Sequence, residues 1–595
     1  MRAADYIIEY LYRFGVKYIF LVPGGGAMYL NDAIGIHKGI KYIACMHEQA
    51  ATFAASAYAK YTGELGVVCV TTGVGGTNTL TGVLDAYQDG VPLLILSGQV
   101  NRKETTHNCK AYLRQFGVQE FDIIPMVERV TKYARMIQYP TDIKYHLDSA
   151  LTWAFHGHPG PIWLDVPLDI QFADIPKPNF EYKKLSHNKE FKINHEQEIV
   201  QMIQQSQRPI IIAGHGIRLG ESIETFKHFI EEFRIPYVST KMGIDLLPYN
   251  HPLYIGNIGN RGDRPGNFAL QNSDLVISLG ARLSICSTGY RFDMFAREAK
   301  KIVVDINPEE HKKNTVSIDL FEECDVKTFL EQIGLNLEQK SYRASDVWVS
   351  TCQKWKKIFK TYSPDFSKTE KVNLYYFIEM LSRKSKPGDV FVGDAGSTMF
   401  VPAQGLRLKE KQRLIFSSAQ TSMGFVIPAC VGISLARDKG EVIGLCGDGS
   451  MQMNIHTLQT IKHHNLPVKL FMWNNRGYLT MRNTQMNYFK RTMAESPETG
   501  VSLPDIEKIA WTYGIKYFKV RNSAELPEVI DQVLKYGKHP VICEVICLEN
   551  QVILGTAGRQ LTNGKFVSSP FEDMAPFLDR KTFYDNMIIK PEVYE

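Results

Sequence analysis

Short apolar runs alternate with helix-like stretches along this chain, and this alternation constrains its fold more than any other feature. Apolar runs of this kind lie at residues 18–22, 66–71, 92–97 and 161–166. Runs of this length between helical patterns are typical of strands buried on both faces of a parallel sheet. We therefore predict one α/β domain over residues 1–172.

The same alternation returns twice. Residues 209–213, 275–279 and 301–306 predict the strands of a central domain over 195–335, and residues 389–394, 441–445, 468–473 and 540–546 predict those of a third domain over 370–547. The stretches 174–196 and 336–370 are predicted polar connectors, and 548–595 a loop-rich tail. The predicted fold is therefore α/β, with three doubly wound parallel-sheet domains. The length of 595 residues agrees with several domains, since single cores stop growing at about 250 to 300 residues.

Charge and composition exclude several classes of partner. The net charge of +5 is spread over 68 basic and 63 acidic side chains without a dense basic run, so nucleic acid is not the predicted partner. No apolar run approaches the roughly 20 residues that span a membrane. The first 20 residues carry charges at helix-like intervals, which a signal peptide does not tolerate. The ten cysteines include no CxxC pair. We expect a cytoplasmic protein without a membrane or nucleic-acid partner.

A glycine turn in the third domain has the features of a phosphate and metal site. Gly447, Asp448, Gly449 and Ser450 follow a predicted strand and open a helix. Such a turn directs backbone N–H groups and the positive helix end toward an anion, and Asp448 offers the oxygen ligand that Mg²⁺ prefers. The alternative is a tight turn with a helix cap.

A second polar loop follows the next strand. Asn475 lies 27 residues after Asp448, close to the length of one βαβ unit, so two parallel strands present both residues at their carboxyl ends. The Asp448 carboxylate, the Asn475 amide oxygen and the backbone carbonyl of Gly477 would form half of an octahedral Mg²⁺ site.

Residues 447–450 together with Asn474 and Asn475 resemble the thiamine diphosphate signature of acetolactate synthase, pyruvate decarboxylase and their relatives. The resemblance covers the first and third domains and implies thiamine diphosphate and Mg²⁺ as cofactors. It also implies cofactor contacts for Gly447, Asp448, Gly449, Ser450, Asn475, Gly477 and Tyr478.

Glu48 is the predicted catalytic acid. It begins a helix of small residues with few counter-charges, and residues 47–51 (His-Glu-Gln-Ala-Ala) resemble the catalytic segment of the family. The resemblance implies that Glu48 hydrogen-bonds the aminopyrimidine ring of the cofactor and so controls its protonation. One alternative is a carboxylate that interacts with the helix dipole. A zinc site of the HExxH type is disfavoured because position 51 is alanine.

The resemblance implies further contacts. It places Gly25, Gly26 and Asn78 near the pyrimidine or the substrate, although Val74 stands where relatives usually carry proline. It places Gln119 on the substrate, the Thr421 carbonyl on the 4′-amino group and Met423 under the bent cofactor. The diphosphate contacts would come from Ala395, Gly396, Ser397 and Thr398. Taken alone, these segments are also compatible with tight turns, helix caps and a core methionine.

The resemblance weakens at two places. Acetolactate synthases hold FAD partly through Gly-Ala-Arg-Phe-Asp-Asp-Arg, where residues 280–286 read Gly-Ala-Arg-Leu-Ser-Ile-Cys, so both a flavin site and a structural domain stay open. Many acetolactate synthases also carry a tryptophan in the segment that corresponds to residues 476–485, and this chain has none there. Arg482 and Gln485 in this segment instead predict a polar acceptor pocket.

The favoured function is a carboligase that transfers a two-carbon unit from a small 2-oxo acid, pyruvate, to a carbonyl acceptor. The acceptor is a second pyruvate or, as an alternative, a nucleotide-linked keto-sugar. Two different functions also stay open: a flavin-dependent pyruvate oxidase and a non-catalytic binding module. The resemblance further implies a homodimer or homotetramer with active sites shared between subunits.

Overall fold

The computed structural model describes residues 1–184, 191–560 and 564–592. It contains three six-stranded parallel sheets flanked by helices, so the predicted α/β class and the three doubly wound domains are confirmed. Within these ranges, no helix combines the length and the apolar character needed to cross a membrane. The predicted connector at 174–196 lies partly outside the described residues.

The first domain has the strand order β2-β1-β3-β4-β6-β5. Its strands are β1 Tyr18–Leu21, β2 Lys41–Ala44, β3 Gly66–Val70, β4 Leu93–Gln99, β5 Tyr133–Met136 and β6 Pro161–Pro167. Its helices are α1 Ala3–Phe14, α2 Met28–Ile36, α3 Glu48–Thr62, α4 Val74–Thr77, α5 Leu80–Asp89, α6 Ile124–Val127, α7 Ile143–Phe155 and α8 Leu168–Phe172. All neighbouring strands are parallel, and the order in which successive strands join the sheet reverses between β1 and β3. The crevice beyond such a switch point is where α/β sheets bind ligands.

The central domain has the strand order β12-β11-β10-β7-β8-β9, which is that of dinucleotide-binding folds. Its strands are β7 Pro209–Ala213, β8 Tyr237–Ser239, β9 Tyr254–Asn257, β10 Leu275–Leu279, β11 Lys300–Asp305 and β12 Leu320–Glu323. Its helices are α9 Glu196–Gln205, α10 Gly216–Leu219, α11 Ile223–Phe233, α12 Arg264–Gln271, α13 Ile285–Thr288 and α14 Val326–Gln339.

The stretch 336–370 differs from the polar connector predicted for it, because it contains helix α15 (Asp346–Ile358). Trp348, Cys352 and Trp355 follow one another at helical spacing and are buried against the central domain. The Trp348 indole N–H donates to the carbonyl of Pro209 at 2.8 Å. The buried face of this helix, which also includes Val349, packs against the central domain and stabilises the helix in a segment with many polar residues.

The third domain has the strand order β14-β13-β15-β16-β18-β17, the same pattern as the first domain. Its strands are β13 Val390–Val392, β14 Arg413–Ile415, β15 Val442–Gly447, β16 Val468–Asn474, β17 Lys516–Val520 and β18 Val541–Ile546. Its helices are α16 Leu374–Lys384, α17 Ser397–Gly405, α18 Val426–Ala436, α19 Asp448–Met451, α20 Thr457–His463, α21 Leu479–Phe489, α22 Ile506–Thr512 and α23 Leu526–Leu534. Here the switch point lies between β13 and β15.

The tail packs on the central domain. Its elements are the antiparallel strands β19 (Gly558–Gln560) and β20 (Phe566–Ser568) and helix α24 (Arg580–Asn586), with loops between them. Glu572 is fully buried, accepts a hydrogen bond from the Gln271 side chain at 2.7 Å and pairs with Arg297 at 2.7 Å.

The first and third domains share one hydrophobic core. Helices α3 and α18 pack against each other, with the rings of Phe53 and Phe425 edge to face at 5.4 Å. A Cβ atom at Gly432 would lie 1.9 Å from the carbonyl oxygen of Ala54, so the two backbones approach closely. This contact fixes how the loops of the two domains face each other within one chain.

Candidate active site

Asp448 organises the loop that follows β16. Its carboxylate accepts the backbone N–H groups of Gly449 at 2.7 Å, Gly477 at 3.0 Å and Asn475 at 3.1 Å. Burial raises the pKa of Asp448 to about 6. The structure therefore brings together Asp448 and Asn475, the two residues that the 27-residue spacing predicted to meet.

The same corner has the donor set that suits a hard divalent cation. The side-chain oxygen of Asn475 is buried without a hydrogen-bond partner, and Asp448 beside it is 3% exposed. An unpaired buried amide oxygen next to a buried carboxylate fits Mg²⁺, which prefers oxygen ligands. Among the described residues, no group of three or more His, Cys, Asp and Glu side chains could hold a metal ion. A cation here would depend on mixed carboxylate, amide and backbone oxygens.

The turn after β13 lies beside this corner. Ser450 donates to the carboxylate of Asp394 and accepts the backbone N–H of Gly424 at 2.7 Å. Burial raises the pKa of Asp394 to about 7, although the Ser450 hydrogen bond opposes the shift. Ser450 thus connects three loops at the switch point: those after β13 and β15 and the segment before α18.

Glycines allow these loops to approach closely. Gly396 has φ +62°, and a Cβ atom there would lie 3.1 Å from the hydroxyl of Thr480. A Cβ atom at Gly449 would lie 2.3 Å from the ring of Tyr478. The two glycines therefore let the side chains of Thr480 and Tyr478 pack directly against the backbone of these turns.

The other predicted diphosphate and pyrimidine contacts flank this space. Ser397 and Thr398 are buried at the start of α17, and the Thr398 hydroxyl donates to the carbonyl of Ala395 at 2.9 Å. Thr421 has φ +51°, an uncommon conformation for a β-branched residue, and half-buried Met423 follows it before α18.

Glu48 is the first residue of α3. Its side chain is 8% exposed and accepts a hydrogen bond from the Asn78 amide at 3.0 Å. His47 caps the helix by accepting the backbone N–H of Gln49 at 3.1 Å. The structure thus joins Glu48 and Asn78, which the sequence predicted to lie near the same ring.

Asn454 links the Glu48 helix to the Met423 segment within one chain. Its amide donates to the Gln49 side chain at 3.1 Å and to the carbonyl of Gly424 at 2.9 Å. The neighbours of Glu48 and Met423 therefore have one common partner, which the sequence did not reveal.

The predicted substrate loops of the first domain differ in exposure. Gly26 is buried, with its carbonyl accepting from Gln171 at 2.7 Å, whereas a Cβ atom at Gly25 would meet open space. Gly73 has φ +60°, and a Cβ atom there would lie 2.3 Å from the carbonyl of Gln119. Gln119, which is exposed, is thus held against the loop that follows β3.

Arg482 and Gln485 contact protein groups rather than an open pocket. Buried Arg482 pairs with Glu495 at 2.6 Å and donates to the carbonyls of Asn475 at 3.1 Å and Glu549 at 2.6 Å. Gln485 exchanges two hydrogen bonds with the backbone of residue 493. The polar acceptor pocket stays a prediction, in which both side chains would first have to leave these partners.

Two loops of the central domain, those after β7 and β10, lie in direct contact. A Cβ atom at Gly214 would lie 2.1 Å from the carbonyl of Gly280, so the loops after β7 and β10 touch. The Nδ1 atom of His215 between them is buried without a partner. Both interpretations of this domain, with and without flavin, remain predictions.

Comparisons with known proteins match all three domains. Thiamine pyrophosphate enzyme family models match residues 1–126 (N-terminal TPP binding domain), 197–333 (central domain) and 394–545 (C-terminal TPP binding domain). The chain belongs to the thiamine pyrophosphate enzyme family.

Similar curated proteins extend over nearly the whole chain. The acetolactate synthase large subunit of Lactococcus lactis is 30% identical over 95% of this chain and 96% of its own length. That of Buchnera aphidicola from Schizaphis graminum is 32% identical over 90% and 92%. A probable acetolactate synthase large subunit of Methanocaldococcus jannaschii is 30% identical over 95% of both. The predicted resemblance is confirmed: this member of the thiamine pyrophosphate enzymes is a thiamine diphosphate-dependent enzyme of the acetolactate synthase type.

Proposed function

We propose that this enzyme uses thiamine diphosphate and Mg²⁺ to cleave a small 2-oxo acid such as pyruvate and to transfer a two-carbon unit to a carbonyl acceptor. The observation that carries the proposal is the corner of Asp448 and Asn475, where a buried carboxylate lies beside an amide oxygen without a partner. This corner belongs to a domain matched by the family's C-terminal cofactor-binding model.

The proposed metal ligands are the Asp448 carboxylate, the Asn475 side-chain oxygen and the backbone carbonyl of Gly477. The cation would neutralise part of the diphosphate charge, and the glycine turns at 396 and 449 would direct backbone N–H groups toward the diphosphate. Ser397, Thr398 and Ser450 would supply N–H or hydroxyl donors to the remaining oxygens. Tyr478, Ala395 and Gly447 complete the proposed contacts to the diphosphate end.

Glu48 is proposed to hold or release a proton at the pyrimidine ring. When bound, thiamine diphosphate supplies the carbon nucleophile that this chemistry requires. Burial excludes water from the Glu48 carboxyl, and the Asn78 amide orients it through the 3.0 Å hydrogen bond. The Thr421 carbonyl and Met423 would fix the ring from the other side, and Gln119, Gly25 and Gly26 would face the substrate.

The assembly is part of the proposal. We propose a homodimer or homotetramer in which Glu48 of one subunit serves the Asp448 corner of another. The free state of all ten cysteines is compatible with the proposed cytoplasmic location.

The acceptor is proposed to be a second pyruvate, with 2-acetolactate as the product. Support comes from the relatives named acetolactate synthase, whose similarity covers at least 90% of this chain. The test is incubation of purified protein with pyruvate, thiamine diphosphate and Mg²⁺, followed by mass spectrometry. Acetolactate is the expected product.

Different outcomes of the same incubation would replace the proposal. Release of CO₂ without acetolactate, combined with a branched product only when a nucleotide-linked keto-sugar is added, would assign the sugar as acceptor. A yellow protein that forms peroxide from pyruvate would indicate a flavin-dependent oxidase.

A further inference from the structure

A buried ion-pair cluster connects the first domain to the segment that carries Thr421 and Met423. Lys60, near the end of α3, contacts Asp85 at 3.0 Å and Asp89 at 2.7 Å, both on α5. The Lys60 side chain is 6% exposed, and both carboxylates are fully buried. We call these three residues the Lys60 cluster.

Every member of the Lys60 cluster holds the segment 416–419 in the third domain. Lys60 donates to the carbonyl of residue 416 at 2.9 Å. Asp85 accepts from the Ser417 hydroxyl, and Asp89 accepts the backbone N–H groups of residues 418 at 2.8 Å and 419 at 2.9 Å. Four contacts from one buried cluster therefore fix four consecutive residues across the domain boundary.

Ser417 passes this constraint to the cofactor segment. Its hydroxyl accepts the backbone N–H of Ser422 at 2.9 Å, and its carbonyl accepts the N–H of Thr421 at 3.1 Å. Thr421 keeps its left-handed backbone, φ +51°, inside this network. Such a conformation is unfavourable for a β-branched residue and persists only where the surroundings hold it.

Burial and ion pairing act in opposite directions on the two carboxyl groups of the Lys60 cluster. Burial raises the pKa of Asp85. Burial also acts to raise the pKa of Asp89, but the charge and hydrogen bond of Lys60 and the two backbone N–H groups together lower it. Removing one of the three side chains would leave a buried charge without its partner, which strongly destabilises the packing of α3 and α5 against segment 416–419.

We infer that the Lys60 cluster is a positioning device, which holds Thr421 and Met423 in the geometry that the cofactor ring needs. This inference rests on the proposed function, because the proposed function is what assigns Thr421 and Met423 to the thiamine diphosphate site. None of its three residues is required to touch the cofactor or the substrate.

The test compares Lys60→Met with Lys60→Arg in the full-length protein. Methionine keeps the length of the side chain without its charge, whereas arginine can still pair with both carboxylates. We expect Lys60→Met to weaken thiamine diphosphate binding, measured calorimetrically, about 10- to 100-fold. We expect Lys60→Arg to stay within about threefold of the natural protein. Asp89→Asn is a second variant with the same expected direction, because it unpairs a backbone N–H of segment 416–419.

Hydrogen exchange of the cofactor-free protein provides a readout that does not depend on activity. Backbone amides of residues 417–424 should exchange faster in Lys60→Met and recover in Lys60→Arg. Glu322→Gln is the matched control, since Glu322 is a fully buried carboxylate in the central domain that contacts Asn194 and His195 instead.

Two results separate the inference from the proposed function. If Lys60→Met lowers the unfolding temperature as Glu322→Gln does but leaves cofactor affinity and exchange of 417–424 unchanged, the positioning role is wrong. If the natural protein binds thiamine diphosphate and yet converts no 2-oxo acid, the proposed function fails while the exchange and binding results still decide the inference.

Discussion

Replacement of Glu48 by glutamine is expected to stop turnover while leaving the fold and cofactor binding nearly intact. Glutamine has the same shape, and its oxygen can still accept the Asn78 amide at the 3.0 Å position of the present hydrogen bond. What the variant loses is a carboxyl group that can take up and release a proton beside the pyrimidine ring.

The two expected costs differ in size. Changing a hydrogen bond to a charged group into one between neutral groups costs about 1 kcal/mol of folding free energy. General acid–base groups contribute about 10²- to 10⁴-fold to rate, which corresponds to about 3 to 5.5 kcal/mol of activation free energy. Because the second cost is several times the first, turnover should fall far more than stability.

The assay measures kcat for CO₂ release from pyruvate, the dissociation constant of thiamine diphosphate and the unfolding temperature. Glu64→Gln is the control, since Glu64 lies in the same domain and contacts Lys17 at 3.1 Å and Tyr58 at 2.8 Å. Turnover of Glu48→Gln within about twofold of the natural protein would refute the assigned role, because a proton-transfer group is worth at least about 10²-fold.

Three further substitutions test different parts of the account. Asp448→Asn should weaken Mg²⁺ binding in calorimetric titrations at least about tenfold, because the only carboxylate of the corner is lost; unchanged affinity would contradict the metal assignment. Arg482→Met should raise the Mg²⁺ and cofactor concentrations needed for half-maximal rate, because Arg482 holds the carbonyl of Asn475; a change confined to KM for the acceptor would instead support the polar pocket. Gly432→Ala should lower the free energy of unfolding by about 1 to 3 kcal/mol, because its Cβ atom would meet the backbone of α3; an unchanged thermal transition would show that the helices can move apart.

Several strands that are buried on both faces were predicted from the sequence, whereas several half-exposed edge strands were not. Strands β3, β7 and β10 lie inside sheets, are buried throughout and were visible as continuous apolar runs. Edge strands β5, β12 and β17 alternate or are half-exposed, and no apolar run marked them. A strand with one face toward solvent has polar residues at alternate positions, so it lacks the continuous apolar run from which the buried strands were predicted.

Contacts within one βαβ unit could be predicted from the sequence, whereas contacts between domains could not. Asp448 and Asn475 meet because one crossover connects neighbouring parallel strands, which their spacing already implied. Asn454 and the Lys60 cluster act across a boundary that joins parts of the chain hundreds of residues apart. Asp85 and Asp89, four residues apart on one helix face, are a local feature compatible with such a contact, but nothing in the sequence names their partner.

Glu48 and the Asp448 corner are proposed to form one active site from two subunits. The most direct test of this claim mixes two inactive variants, Glu48→Gln and Asp448→Asn, under conditions that exchange subunits. A hybrid dimer with shared sites contains one site with both substitutions and one with neither, so it should regain about half of the activity of the natural dimer. A mixture that stays as inactive as its parents, although mass spectrometry detects hybrids, would contradict the claim.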